Sequence, residues 1–159
     1  MPEIRTRQIQ LTIYVIEATS QLAQDSPLPS NLASAVEQLR TAFGYKRFRL
    51  MDTILLQGRE GAPVSLSGLL PLTATRSGEK LFYSAKYDHA GYVESQKAVG
   101  VNGFRFNMRI PVGDGSKFED SGIGTDLNIR EDQKLVLGKL THDQTPGTGV
   151  FLVVTAKVD

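Results

Sequence analysis

Over long stretches of this sequence every second side chain is apolar, and that alternation leaves few folds open. Ile9, Leu11, Ile13 and Val15 alternate with Gln8, Gln10, Thr12 and Tyr14. A side-chain period of two belongs to a strand with one buried and one wet face. The pattern recurs at Phe48 and Leu50, set against Arg47, Arg49 and Met51 on the opposite face, with Ile54 to Gln57 extending the run. It recurs again at Val64 and Leu66, at Leu81, Tyr83, Ala85 and Tyr87, and at Phe104, Phe106, Met108 and Ile110. Thr125, Leu127 and Ile129 read as a strand, with Leu135 to Leu140 returning after a turn at Arg130 to Lys134. Val150 to Val158 is apolar and β-branched, as a buried terminal strand would be.

The punctuation between these runs is mostly glycine. Gly58-Arg59-Glu60-Gly61 reads as the turn of a hairpin whose returning arm begins at Val64, and Gly113 to Gly124 reads as a polar loop. One segment departs from period two. Leu32, Val36, Leu39 and Phe43 follow at intervals of four, three and four, which puts them on one helical face. Ser30 or Asn31 would cap that helix, Pro29 would stop it extending backwards, and Gly44 would close it. Thr19 to Pro29 reads as a loop. The expected architecture is α+β, one helix packed on a mostly antiparallel sheet of seven to nine strands, with a sandwich as the competing arrangement. The strand Gln8–Glu17, the helix and the strand from Arg47 would form a βαβ unit with a parallel strand pair.

Composition sets the outer bounds. The chain has 159 residues, 40% of them hydrophobic and 22% charged. A chain this long buries about 70% of its unfolded surface, enough for one sizeable core, so 1–159 reads as a single domain. A weak internal echo runs from Arg59-Glu60 to Leu69 and again from Arg130-Glu131 to Leu140. Its sources are two hairpins with similar turns or two similar β-halves, about 1–75 and 76–159. No run approaches the roughly 20 apolar residues of a membrane-spanning helix. The start, Met1-Pro2-Glu3-Ile4-Arg5, lacks a signal-peptide layout. The expected compartment is periplasmic or envelope-associated if a leader was removed, and cytoplasmic otherwise.

Little in the sequence points to catalysis. The absence of cysteine excludes disulfides, thiolate metal sites and a cysteine nucleophile. A net charge of +1 argues against general binding to nucleic acid, which needs a basic excess. His89 and His142 each adjoin an aspartate, Asp88 and Asp143, but neighbours on a strand point to opposite faces and both pairs read as loop residues. Asp114, Ser116, Glu119 and Asp120 bring oxygen ligands into one stretch without the spacing of a calcium loop. Asp114, Glu119 and Asp120, with His142 and Asp143, form the ligand-binding or hydrolytic alternative. Gly113-Asp114-Gly115-Ser116-Lys117 fits no phosphate-binding fingerprint, and no cofactor is expected. Arg40, Lys46, Arg47 and Arg49 cluster near Tyr45 and Phe48, as a charged strand face or a surface for an acidic protein would.

The run Thr125-Asp126-Leu127-Asn128-Ile129-Arg130-Glu131-Asp132-Gln133-Lys134-Leu135-Val136-Leu137-Gly138-Lys139-Leu140 resembles a hairpin of the secretins, the multimeric outer-membrane gates of bacterial secretion and pilus systems. Val150 to Val158 resembles the late apolar strand of that domain, and Gln8 to Glu17 its opening strand. Two positions depart from the family's pattern: Lys139 stands in its glycine pair and Asp132 at its turn glycine. The resemblance implies a non-enzymatic interaction module of an envelope assembly, associating with itself or another protein through exposed strand edges.

Overall fold

The computed structural model describes residues 7–19, 28–71, 80–112, 117–140 and 148–159. Among them are one α-helix, α1 (Ala33–Phe43), and nine strands: β1 (Gln8–Thr19), β2 (Arg47–Arg59), β3 (Val64–Pro71), β4 (Lys80–Tyr87), β5 (His89–Val93), β6 (Ala98–Val112), β7 (Lys117–Arg130), β8 (Leu135–Leu140) and β9 (Thr148–Val158). The strands form two antiparallel sheets, so helix-on-sheet and sandwich are both realised, as successive layers. The first sheet has the order β2-β1-β9-β8. In the second, β6 carries β4 and then β5 along one side and β7 along the other, with β3 outside β4.

The alternation in β1 explains the packing. Ile9, Leu11, Ile13 and Val15 are fully buried and meet Val99, Val101, Phe104 and Phe106 of the second sheet in one core. Beyond Val15 the pattern breaks: Ile16, Glu17 and Ala18 are all buried. Here α1 covers the other face, with Leu32, Ala35, Val36 and Leu39 packed on Ile16, Ala18, Phe48, Phe151 and Val153. Each fully buried leucine or valine in that layer contributes about 1.5–3 kcal/mol. The helix covers only this half of the sheet. In the other half the same face carries Gln10, Thr12, Thr53, Gln57 and Lys157, none of them buried.

Several expectations need correction. The β1–β2 pair is antiparallel, because Arg47 pairs Thr19 and the helical connection returns to the end of the sheet it left. A register shift at Val15/Ile16 bulges Met51 out of the ladder, and it buries between the sheets instead of facing solvent. Neither Ser30 nor Asn31 caps α1 through its side chain; a 3₁₀ turn, Ser30–Leu32, precedes the helix, and Asn31 Nδ2 donates to the Tyr14 hydroxyl at 3.2 Å. Gly44 closes the helix as expected, at φ 74°. Phe43, at the last helical position, is 48% exposed, with its ring 4.9 Å from that of Phe151.

The largest correction concerns partners. β3 does not return along β2 but crosses to the second sheet and pairs β4, and β8 does not return along β7 but crosses back and pairs β9. The two Arg-Glu stretches of the internal echo are these two crossings. Gly58 makes the first one possible, since a Cβ there would run into Val64 Cγ2. The stretch read as a loop, Gly113 to Gly124, is strand from Lys117 onward and pairs β6.

Candidate functional site

Both crossings lie at one pole of the sandwich and are tied to β5. Glu60 N–H donates to the Arg7 carbonyl at 2.8 Å and Gly61 N–H to the Ala90 carbonyl at 2.9 Å. The Glu60 carboxylate accepts the Tyr92 N–H at 2.9 Å. From the second crossing, Glu131 N–H donates to the Lys97 carbonyl at 3.1 Å, and the Tyr92 hydroxyl donates to the Glu131 carboxylate. Arg7 lies 4.7 Å above the Tyr92 ring and pairs with Glu94. Desolvation and the Glu131 bond raise the Tyr92 hydroxyl above its ordinary pKa. Sequence reading missed this cluster, although the repeated Arg-Glu pair marked both of its corners.

The opposite pole holds the predicted basic residues. Arg40 pairs with Glu37 at 3.5 Å, donates to the Lys46 carbonyl at 3.3 Å and lies 5.4 Å from the Phe48 ring centre. Lys46 is exposed just before β2. Arg47 opens β2 opposite Thr19. Arg49 sits 3.8 Å from the Glu17 carboxylate across the ladder. That separation is too long for a hydrogen bond, and Glu17 Oε2 with Arg49 Nε and Nη2 is buried without one. Burial pushes the Glu17 carboxyl up and Arg49 pulls it down, with burial the larger effect.

Only two of the predicted ligand residues, Glu119 and Asp120, are described. Asp114, Ser116, His142 and Asp143 lie outside the described residues. Glu119 and Asp120 belong to strand β7, which corrects their placement in a loop; Asp120 pairs with Arg109 across the ladder at 3.1 Å. His89, expected in a loop, opens β5 and lies 2.6 Å from Asn102 Nδ2. Among the described residues, no three histidine, aspartate or glutamate side chains converge as a metal would require.

The sheet edges differ in how open they are. β2 and β8 bound the first sheet; both contain register shifts, and β8 has only 6 residues. β3 ends in Pro71. Such features blunt an edge. β7 is different: 14 residues without proline, with no second strand beside it among the described residues. Two of its charges are engaged with β6, Asp120 with Arg109 and Asp126 with the Gly103 N–H at 2.8 Å, and Gly122 and Gly124 carry no side chain there.

No family model and no curated protein matches the sequence. Solved structures do match the fold. A type II secretin of enteropathogenic Escherichia coli, GspD, superimposes with a TM-score of 0.58 at 13% identity, over 98% of this chain and 70% of that one. The Salmonella SPI-1 type III secretion injectisome secretin InvG, in its open gate state, gives 0.52 at 11% identity, over 98% and 61%. The type IV competence pilus secretin PilQ of V. cholerae gives 0.51 at 12% identity, over 98% and 62%. The chain thus spans between three-fifths and seven-tenths of each structure. Its fold is secretin-like, as the sequence resemblance implied, even though the segment that carried the resemblance divides between two sheets.

Proposed function

We propose that this chain is a non-enzymatic structural module of a bacterial envelope or secretion assembly, which associates with copies of itself by adding strands at its sheet edges. The observation that carries this reading is a secretin-like fold extending over 98% of the chain, matched in type II, type III and type IV pilus secretins alike. The long, unblunted edge of β7 supplies the means, because main-chain N–H and C=O groups along an open edge pair with any strand that fits beside them. An envelope or periplasmic location follows from the same reading.

Static light scattering on the full chain over a range of concentration tests it. Particle mass should rise with concentration, and Gly124→Glu should hold the chain monomeric. A Cβ at Gly124 meets Arg105 Cγ at an ordinary 3.6 Å, so the variant keeps its fold while placing a charge on the edge strand. A wild-type chain that stays monomeric throughout contradicts the proposal.

A further inference from the structure

The outer face of the second sheet carries a feature that edge association does not use. Cross-strand register places Leu69, Phe82, Arg109 and Asp120 in one row over β3, β4, β6 and β7, with Ser67, Ser84, Asn107 and Gly122 in the next. Phe82 is 52% exposed and Leu69 48% exposed, which makes an apolar platform beside an ion pair. Arg109 Nε and Asp120 Oδ1 are 3.1 Å apart, and both side chains are more than half exposed. Phe82, Ser84, Asn107, Arg109 and Asp120 line a shallow depression of about 570 Å³, within the size range of small-ligand sites. Gly122 lets the Asn107 side chain take its place beside the depression, since a Cβ at 122 would run into Asn107 Oδ1.

We infer that this depression is a saccharide-binding site. A pyranose ring has one face of C–H groups and a rim of hydroxyls. The Phe82 ring matches the first by apolar contact. The rim needs donors and acceptors side by side, since each hydroxyl both donates and accepts. The Arg109 guanidinium supplies donors, the Asp120 carboxylate acceptors, and Asn107 and Ser84 supply both, all held on strands. The Arg109–Asp120 pair is neutral as a unit, which suits an uncharged sugar; Lys86 and Arg105 lie in the row beyond Ser84 and Asn107, so binding that grows as salt is removed would point to an anion instead and overturn the assignment.

The test is amide chemical-shift titration of the full chain with three neutral probes, cellohexaose, chitohexaose and maltohexaose. At least one should saturate in the millimolar range with shifts confined to the rows through Phe82 and Ser84, little changed by added salt. Phe82→Ala should weaken that binding at least tenfold, Phe82→Tyr should retain it, and Asp120→Asn and Gly122→Ala should each weaken it several-fold. Phe82 and Asp120 are exposed, so their variants should keep the folded spectrum, whereas Gly122→Ala also presses on the Phe106 carbonyl and is read only if its spectrum away from β6 and β7 is unchanged. No saturation with any probe, shifts unaffected by Phe82→Ala, or shifts that follow protein concentration without sugar would each overturn the assignment, the last by showing that a second copy covers the face.

Discussion

At one pole of the sandwich the chain crosses twice between sheets, and both crossings are fastened to β5 through Glu60, Gly61, Glu131 and Tyr92. At the other pole the sheets are joined by no described crossing. There the inter-sheet core gives way to Glu17 and Arg49, and α1 covers the first sheet from outside. The first pole spends its polar groups on fixing topology, and only one buried side-chain group described there, the Tyr87 hydroxyl beside Gly58, has no hydrogen bond. The second leaves a buried carboxylate and guanidinium without hydrogen bonds. Satisfied polar networks specify a structure, whereas unsatisfied ones weaken it, so the two ends should respond differently to the same kind of change.

The largest effect is expected at the helix layer. Leu39 is buried against the first sheet, and Leu39→Ala should lower unfolding free energy by about 3 kcal/mol in urea titrations. Exchange of β1 amides near Ile16 should accelerate while those near Tyr92 keep their protection; equal loss at both poles would break the contrast. Next comes the first crossing. Gly58→Ala should cost about 2 kcal/mol by overpacking against the stiff Val64 side chain. Adding Val64→Ala should recover part of that loss, and strict additivity would deny that the two residues meet at the corner.

A change of similar size separates the charged pairs. Arg49→Ala leaves Glu17 buried beside no cation and should cost about 2 kcal/mol, less than a fully buried pair because Arg49 is 34% exposed. Glu17 also sets a pH dependence. Its carboxyl is raised in the folded state, so its contribution is most favourable below the unfolded pKa and is lost as pH rises through the folded value. Glu17→Gln should therefore stabilise the chain at neutral pH relative to wild type, with the gain vanishing in acid; a constant difference across pH would contradict this. The smallest effect belongs to the first pole. Glu60→Ala removes the acceptor of the Tyr92 N–H and should cost about 1 kcal/mol, visible as faster exchange at Tyr92.

What the sequence made legible was which residues are inside, because period-two and helical spacing report faces directly. Ile9 through Val15, Phe104 through Met108, and the Leu32-Val36-Leu39 stripe are buried as read. Partnership was not legible. A Gly-Arg-Glu-Gly turn looks the same whether the next strand folds back beside the last or crosses to another sheet, so both crossings were read as hairpins. Lys117 to Gly124 carried no strand signal, since an edge strand with an open outer face needs no apolar alternation there. The Met51 bulge reversed a phase that simple alternation could not anticipate. The candidate surfaces suffered for the same reasons: the first half of β7 was hidden inside a supposed loop, and Phe82 becomes a platform only once Arg109 and Asp120 are known to lie beside it.

Residue-resolved hydrogen exchange along β7, recorded at low and high protein concentration, tests edge association most directly. The account predicts that outward-facing amides between Lys117 and Arg130 gain protection as particle mass grows, while those already bonded to β6 stay unchanged. Assembly that leaves every β7 amide as exposed as in the monomer would contradict it.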